Sequence, residues 1–389
     1  MRPKINFVKM CKIWEAKIPM KAQSLYIHFP FCETKCHYCD FYSLGRERTA
    51  VGDAEIYEKA LTQECRLAAD LLSDQVQTVF FGGGTPSMTA PEVMLRALAP
   101  LELTRRLAPR YEWTMEANPS SVSRASLAQY RALGVNRVSM GVQAMRDDLL
   151  ARLGRVHSKD RALGALTEIF EAGFTNVSVD LLCGVPGQEL DDIRKALDEL
   201  TQFPITHLSC YLLTLTPHHS MYKQLPNEDT QLEHLLFLHD QMAARGFEHY
   251  EISNFCKPGF EARHNLNYWK NHSYLGLGPS AHSFDQDEQK RWKNISSLKK
   301  YATILNEGSL PQEQEEILTP EQKDLEKWML GLRLAEGVPT SWLTTSAQKL
   351  RAKKLLEEHL LEPHPSVAHQ LRLTPRGFAL SDQVITVLA

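Results

Sequence analysis

The stretch SLYIHFPFCETKCHYCDF, residues 24–41, joins an apolar segment to a loop that carries three cysteines. Its first part, 24–30, is rich in aliphatic and aromatic residues and predicts a β-strand. Cys32, Cys36 and Cys39 follow it with the spacing C-x₃-C-x₂-C. The sequence therefore predicts a group of thiols at the end of the first strand.

Three thiols in one loop indicate a metal centre, and their number limits its type. A tetrahedral zinc site takes four ligands, and structural zinc usually pairs two cysteine knuckles that are distant in sequence. No second cysteine pair exists, since the other cysteines stand singly at 11, 65, 183, 210 and 256. Three thiolates suit three irons of a cubane [4Fe–4S] cluster, whose fourth iron stays open to a ligand that is not protein. We expect such a cluster, with zinc as the alternative.

Strand-like segments recur along the first half of the chain, at 24–30, 77–83, 111–117, 137–143, 176–182 and 207–213. Segments with helical periodicity, such as 55–72 and 161–173, lie between them. A repeated β-α alternation predicts a parallel sheet with helices outside. Six such units make about three-quarters of an eight-unit barrel. We therefore predict an α/β fold, a partial (β/α)₆ TIM-type barrel with one open side.

The pattern changes after about residue 230, where helical segments become dominant. A strand, a turn and a closing helix follow these helices at 370–388. This order predicts a mostly helical, winged-helix-like C-terminal domain. We expect an extension at 1–20 that is disordered or reflects a misassigned start codon, the barrel at 21–250 and an accessory domain at 251–389.

Composition excludes several classes of function. The net charge of −3 gives no electrostatic basis for binding nucleic acid. No apolar run reaches the ~18 residues of a membrane span, and residues 1–20 lack the apolar core of a secretory signal. Because cysteines are sparse outside one loop, a disulfide scaffold is excluded, and we expect reduced thiols in a cytoplasm.

Glycine-rich and polar residues follow several predicted strands: GGGTP after the second, EANP after the third, GVQ after the fourth and DLLCG after the fifth. The carboxyl ends of parallel barrel strands hold the active site of such folds. The sequence therefore predicts a ligand cavity at these strand ends, beside the cysteine loop.

These motifs together resemble a known family. C-x₃-C-x₂-C after the first strand of a partial barrel resembles the radical S-adenosylmethionine superfamily. The resemblance implies that the open iron binds S-adenosylmethionine, which is cleaved after one-electron reduction to a 5′-deoxyadenosyl radical. Within that superfamily, the chain most resembles the oxygen-independent coproporphyrinogen III oxidase family, from about Leu25 onward. The motifs that carry this resemblance are YIHFPFCETKCHYCDF, FFGGGTPS, EANP, GVQ, LGRVHS and the strand end at Asp180.

The family resemblance implies a set of cofactor-binding residues: Tyr26, Tyr38, Gly83, Gly84, Thr85, Glu116, Gln143, Arg155 and Asp180. Glycine lacks a Cβ and lets the backbone approach the ligand, and Arg155 offers a two-pronged donor to a carboxylate. Glu116 and Asp180 suit ribose hydroxyls or an ammonium group, with a salt bridge between strand ends as the alternative. For Tyr26 the alternative is core packing.

The family that the chain resembles has two branches, an oxidase branch and a haem chaperone branch. The oxidase motif continues C-x₃-C-x₂-C-x-C, whereas Phe41 stands in the fourth place here. The oxidase also has a long N-terminal arm, and only 31 residues precede Cys32. Both features disfavour the oxidase.

The stretch RHNLNYWKNHSYLGLGPSAHSF, residues 263–284, resembles the haem chaperone branch through His264, Tyr268 and Trp269. A neutral histidine can ligate haem iron, and the two rings offer flat faces to a porphyrin. Other candidate residues are His272, His282 and Cys256 for the iron, and Arg263 or Lys270 for a propionate. A purely structural role for His264 is the alternative.

The first functional hypothesis is a haem chaperone with a [4Fe–4S] cluster and S-adenosylmethionine. Haem would be its cargo and a respiratory haemoprotein its acceptor, in the cytoplasm or at the membrane periphery, with a homodimer as a further option. The alternative is oxidative decarboxylation of coproporphyrinogen III, and a radical enzyme for another substrate is a third. Whether the chain is an enzyme is left open.

Overall fold

The computed structural model describes residues 20–389. The extension expected at 1–20 falls, apart from Met20, outside the described residues and stays a prediction. Met20 itself is buried and packs at the start of the barrel core.

A nine-stranded sheet forms the centre of the fold, in the order β7-β8-β6-β5-β4-β3-β2-β1-β9. Its strands are β1 (Ser24–Phe29), β2 (Val76–Gly83), β3 (Leu107–Ala117), β4 (Arg137–Gln143), β5 (Asn176–Cys183), β6 (His207–Leu212), β7 (Glu248–Glu251), β8 (Asn254–Cys256) and β9 (Leu275–Leu277). Strands β1 to β6 pair in parallel, each with its neighbour along the chain. All their carboxyl ends therefore meet at one edge of the barrel.

Helices cover the outer face of this sheet: α1 (Asp53–Ala68), α2 (Pro91–Leu98), α3 (Leu103–Arg106), α4 (Arg124–Leu133), α5 (Asp147–Arg152), α6 (Lys159–Glu171), α7 (Leu190–Leu200) and α8 (Glu228–Ala244). The sequence marks some of their ends clearly. Ser123 and Ser158 accept backbone N–H groups as N-caps, and Gly134 ends α4 in a left-handed conformation. Buried faces such as Leu61 and Leu166 join the sheet in one core.

The sheet takes strands from both sides of residue 250, where the sequence analysis placed the domain boundary. Strand β8 pairs antiparallel with β6, and β9 pairs parallel with β1. Each of these added strands has three residues. Such short strands show no alternating pattern in the sequence, and they bring the 251–389 segment against the barrel.

The remaining elements are α9 (Arg263–Trp269), β10 (His282–Asp285), β11 (Lys290–Asn294), α10 (Leu298–Asn306), β12 (Gln312–Ile317), α11 (Pro320–Gly331), β13 (Val338–Pro339), α12 (Ser346–Glu357), β14 (Leu361–Pro363), β15 (Gln370–Leu373), α13 (Pro375–Ala379) and α14 (Ser381–Leu388). Helices α11 to α14 and the small sheet β13-β15-β14 enclose their own core around Trp328 and Leu355. This confirms the predicted fold class, a partial (β/α)₆ barrel with a mostly helical, winged-helix-like end. Among the helices of residues 20–389, none is long and apolar enough to cross a bilayer.

A buried carboxyl group connects the barrel to the segment that follows β9. Glu64 on α1 accepts hydrogen bonds from the Gly278 amide (2.7 Å), the Asn294 side chain (2.5 Å) and the Tyr301 hydroxyl. Burial raises the pKa of Glu64 from 4.5 to about 7, while these donors oppose the shift. Because the Gly278 amide and the Tyr301 hydroxyl would otherwise be buried without a partner, Glu64 fixes the segment from Gly278 to Tyr301 against α1.

Gly276 offers a test of this arrangement. A Cβ at this position would lie 2.0 Å from the backbone oxygen of His282, so Gly276→Ala should destabilise the fold by about 1–3 kcal/mol through backbone displacement. Gly164→Ala on α6 is the control, because its Cβ meets only the end of the Arg161 side chain, at 3.5 Å. Denaturant unfolding of both variants measures the difference, and equal stabilities would contradict the close approach of β9 and β10.

Candidate functional site

A cavity of about 400 Å³ opens at the carboxyl ends of the barrel strands. We call it the strand-end cavity. Every residue of the predicted cofactor set except Tyr26 lines it, together with Cys39, Phe41, Asn118 and Tyr211. The structure thus brings together residues from the ends of β1 to β6, as the parallel topology requires.

The cysteine loop forms one wall of this cavity. Cys32, Cys36 and Cys39 are half-buried and form no disulfide. Thr85 donates its hydroxyl hydrogen to Cys32 Sγ (3.5 Å), and Arg155 donates to Cys36 Sγ (3.4 Å). Burial raises the pKa of Cys32 and Cys39, so the thiolates need a metal or a positive charge to stabilise them.

The donor set fits an iron–sulfur cluster by its chemistry. Three free thiols share one loop, and sulfur atoms that receive hydrogen bonds are typical of cluster ligands. Within residues 20–389, no three His, Cys, Asp or Glu side chains converge closely enough to share one metal ion. Cysteines that bind three different irons of a cubane need not converge so closely.

Arg155 is held rigidly at the cavity wall. Its Nη2 donates to Asn118 Oδ1 and to the Gly141 carbonyl oxygen, both at 2.6 Å. Asn118 in turn donates to Thr85 Oγ1 at 3.0 Å. Asn118 is not among the residues predicted from the sequence, although the EANP motif contains it. This network positions the guanidinium between the cysteine loop and the strand ends.

The glycines after β2 are required by the backbone geometry. Gly83 has a φ of 107°, which favours glycine. A Cβ on Gly84 would lie 2.7 Å from the Phe31 carbonyl oxygen, because Gly84 and the cysteine loop run side by side. Gln143 at the end of β4 also has a positive φ, 70°, beside a register shift in the β4–β5 pair. That irregularity turns its side chain toward the cavity.

Glu116 and Asp180 form an acidic pair, and the nearby charge of Arg137 acts on both carboxyl groups. Neither carboxylate makes an ion pair within the described residues; Glu116 accepts the Gly83 amide (3.1 Å) and Asp180 the Ser139 hydroxyl (3.1 Å). Burial, and then the charge of Asp180, raise the pKa of Glu116 from 4.5 to about 8. Burial also raises the pKa of Asp180. The structure thus shows no salt bridge of the kind proposed as the alternative role.

A second cavity, of about 620 Å³, is bordered by the Tyr26 and His28 side chains of β1. We call it the aromatic cavity. It is lined by Tyr26, His28, Asp40, Phe41, Tyr42, Tyr268, Asn271, His272, Tyr274, Ser280, His282, Phe284, Arg291, Lys293, Glu326, Met329 and Leu330. Phe41 is 67% exposed and lines both cavities. The residue that replaces the fourth cysteine therefore forms part of the wall between them.

Tyr26 belongs to the aromatic cavity rather than to the strand-end cavity. Its ring stacks on Phe80 with centroids 6.1 Å apart, and its hydroxyl lies 3.0 Å from His28 Nδ1. Burial, and to a smaller extent the charge of Glu116, raise the pKa of Tyr26. Tyr26 thus stands at the same wall as Phe41, between Glu116 and the second cavity.

His264 is buried inside a chain of hydrogen bonds. Its Nδ1 lies 2.7 Å from Thr78 Oγ1, and its Nε2 lies 2.7 Å from the Tyr268 hydroxyl. Because Thr78 donates its hydroxyl hydrogen to Ser24, we infer that it accepts from Nδ1 and that Nε2 accepts from Tyr268. Burial, then the charge of Arg137, lower the pKa of His264 to about 3. In this conformation neither ring nitrogen is free for an iron atom.

The rest of the HNLNYW motif anchors α9. Glu112 accepts the backbone N–H groups of Arg263 and His264, each at 3.0 Å. Trp269 donates its indole N–H to Glu251 and does not line the aromatic cavity, whereas Tyr268 does. Arg263 and Lys270 also lie outside that cavity, where Arg263 donates to Gln77 and Lys270 pairs with Glu336. Buried Cys256 lies in β8.

Comparison with known proteins gives three findings. The radical SAM superfamily model matches residues 26–200. The heme chaperone HemW of Mycobacterium tuberculosis is 36% identical over 381 residues, which cover 96% of this chain and 96% of that protein. HemW of Bacillus subtilis is 36% identical over 327 residues, which cover 81% of this chain and 84% of that protein. The chain belongs to the HemW family.

HemW is the haem chaperone branch that Phe41 and the HNLNYW motif predicted, so the predicted branch is confirmed. Among solved structures, coproporphyrinogen III oxidase (HemN) from Escherichia coli, a radical SAM enzyme, superposes with a TM-score of 0.81. It is 22% identical, with 96% of this chain and 91% of that chain covered. That likeness shows that this chain has the same overall fold as that protein.

Ionisation of Glu116 should destabilise the protein as the pH rises. Its pKa is about 8 in the folded protein against 4.5 ordinarily. The favourable contribution of protonated Glu116 to the free energy of unfolding is therefore complete below pH 4.5 and is lost as the pH rises through 8. Glu116→Gln should flatten the profile of melting temperature against pH between pH 6 and 9, measured without ligands. Glu55→Gln on the exposed side of α1 is the control, and parallel profiles for all three proteins would contradict the prediction.

Removal of the His264 ring should destabilise the fold, because Thr78 and Tyr268 lose their partner. We expect His264→Ala to lower the free energy of unfolding by about 2–4 kcal/mol. Denaturant unfolding measures this, with His272→Ala as the control because His272 is exposed. An unchanged stability in His264→Ala would show that the buried hydrogen-bond chain is unimportant for folding.

Proposed function

We propose that the protein is a haem chaperone on a radical S-adenosylmethionine scaffold, which binds haem and delivers it to a haemoprotein. The observation that carries the proposal is the aromatic cavity beside the cysteine loop, with Phe41 in the shared wall. Its aromatic lining and volume suit a flat apolar macrocycle. The names of the relatives, heme chaperone HemW, support the same function.

In this proposal the strand-end cavity holds the cofactors. Cys32, Cys36 and Cys39 would bind a [4Fe–4S] cluster, and Arg155 would neutralise part of its negative charge through Cys36. The remaining residues of the predicted set would bind S-adenosylmethionine, with Glu116 and Asp180 accepting from its hydroxyl or ammonium groups. When bound, the cluster supplies an electron to the sulfonium group of that cofactor.

The geometry explains why a cationic ligand fits this cavity. Burial and the repulsion between these two neighbouring carboxyl groups raise the pKa of Glu116 to about 8, against the opposing charge of Arg137, and so favour its protonated form. A positively charged ligand removes that repulsion, so its binding releases the proton and becomes stronger with rising pH. The sulfonium and ammonium groups of S-adenosylmethionine carry the required charge.

Three parts of the proposal concern the cellular setting. The acceptor would be a respiratory haemoprotein, because the family resemblance pointed to one. The protein would work in the cytoplasm and contact a membrane only through its acceptor. We also propose that the protein forms a homodimer.

Parallel assays on one anaerobically reconstituted sample test the function. We expect titration with haem to give a saturable Soret absorption change. The same sample, given coproporphyrinogen III, S-adenosylmethionine and a reductant, should form no protoporphyrinogen at turnover rates. Turnover with coproporphyrinogen would instead identify the protein as the oxidase, and failure to bind haem would refute the chaperone.

Cys36→Ala tests the cluster by itself. With only two thiolates left in the loop, the variant should lose the iron and sulfide content and the charge-transfer absorption of the four-iron cluster. Cys65→Ala is the control, because Cys65 is fully buried in α1. Retention of the full four-iron spectrum by Cys36→Ala would refute ligation by these three cysteines.

A further inference from the structure

Four histidines lie at or beside the aromatic cavity, and only two have a free ring. His28 is buried, with its ring nitrogens 3.0 Å from the Tyr26 hydroxyl and 2.8 Å from the Tyr42 carbonyl oxygen. His264 is enclosed behind Tyr268, with both ring nitrogens engaged. The side chains of His272 and His282 line the cavity, are exposed, and make no hydrogen bond among the described residues. An iron atom in this cavity can therefore reach only these two without breaking existing bonds.

The β10–β11 hairpin gives His282 a fixed position. His282 lies directly opposite Lys293, and Phe284 lies directly opposite Arg291. Since side chains alternate along a strand, these four project from the same face of the hairpin. All four line the aromatic cavity, while Trp292 on the opposite face is buried in the barrel core.

The hairpin also presents one cation that is free for an anionic ligand group. Arg291 is occupied, since it donates to Glu316 (2.8 Å) and to Glu326 (2.5 Å). Lys293 makes no ion pair among the described residues. Directly opposed residues in an antiparallel pair have Cβ atoms about 4.5–5.5 Å apart. A nitrogen ligand and a free ammonium group thus stand side by side at the cavity wall.

We propose that haem binds in the aromatic cavity with its iron ligated by His282 and a propionate bound by Lys293. This inference rests on the proposed function and assigns its site. It replaces His264, the iron ligand expected from the sequence, by a histidine of the hairpin. The neighbouring rings Phe284 and Tyr274 would contact the porphyrin face, and Phe41 would separate haem from the cluster loop.

Equilibrium titration with haem and with iron-free protoporphyrin IX tests the two contacts separately. We expect His282→Ala to shift the Soret band and to lower the affinity for haem by about tenfold or more, with little change for iron-free protoporphyrin. Lys293→Met should lower the affinity for both porphyrins by about threefold. That loss should vanish for the dimethyl esters, which carry no propionate charge.

His272→Ala is the matched control, because His272 is the other exposed imidazole in the cavity. Its haem spectrum should stay that of the wild type. Melting curves of all variants should match the wild type, since neither ring is hydrogen bonded. A normal spectrum and affinity in His282→Ala, or a loss confined to His272→Ala, would overturn the assignment while leaving the proposed function intact. Failure of the wild type to bind haem would overturn both.

Discussion

The alternation of side chains along β1 is the constraint on which both cavities depend. Leu25, Ile27 and Phe29 face the helices and are almost completely buried, so they fix the register of the strand. The intervening Tyr26 and His28 then face the aromatic cavity. The position of β1 is fixed on both edges, because it is hydrogen bonded to β2 on one side and to β9 on the other. A shift by one residue would place aliphatic side chains in the cavity and polar ones in the core.

The same strand couples the cysteine loop to the hairpin. Its carboxyl end leads directly into the loop with Cys32, whereas its β9 edge leads through Gly278 to β10 and His282. Glu64 holds this second path against α1 by accepting the Gly278 amide. The distance between the strand-end cavity and the aromatic cavity is therefore set by backbone pairing and one buried carboxyl group.

The sequence predicted those features that one local pattern determines. Six long strands, their parallel order and the residues at their ends followed from periodicity and motif order, because each strand carries its own signal. Strands β8 and β9 were not predicted, since three residues show no period and their pairing partners are distant. The role of His264 illustrates another limit. A motif names a histidine but does not show that Thr78 and Tyr268 already occupy both nitrogens.

Asn118 and Lys293 were missed for a related reason. Asn118 acts by orienting Arg155 and Thr85. A pattern of residue types does not predict a role that is exerted through other side chains. Lys293 is a candidate ligand-binding residue because strand pairing places it opposite His282. It is also the available cation there, because the charge of Arg291 is already neutralised by Glu316 and Glu326. In both cases the functional property belongs to a pair of residues distant in sequence. Such pairs become visible only when register and burial are known, and here they lie on the two sides of the wall formed by Phe41.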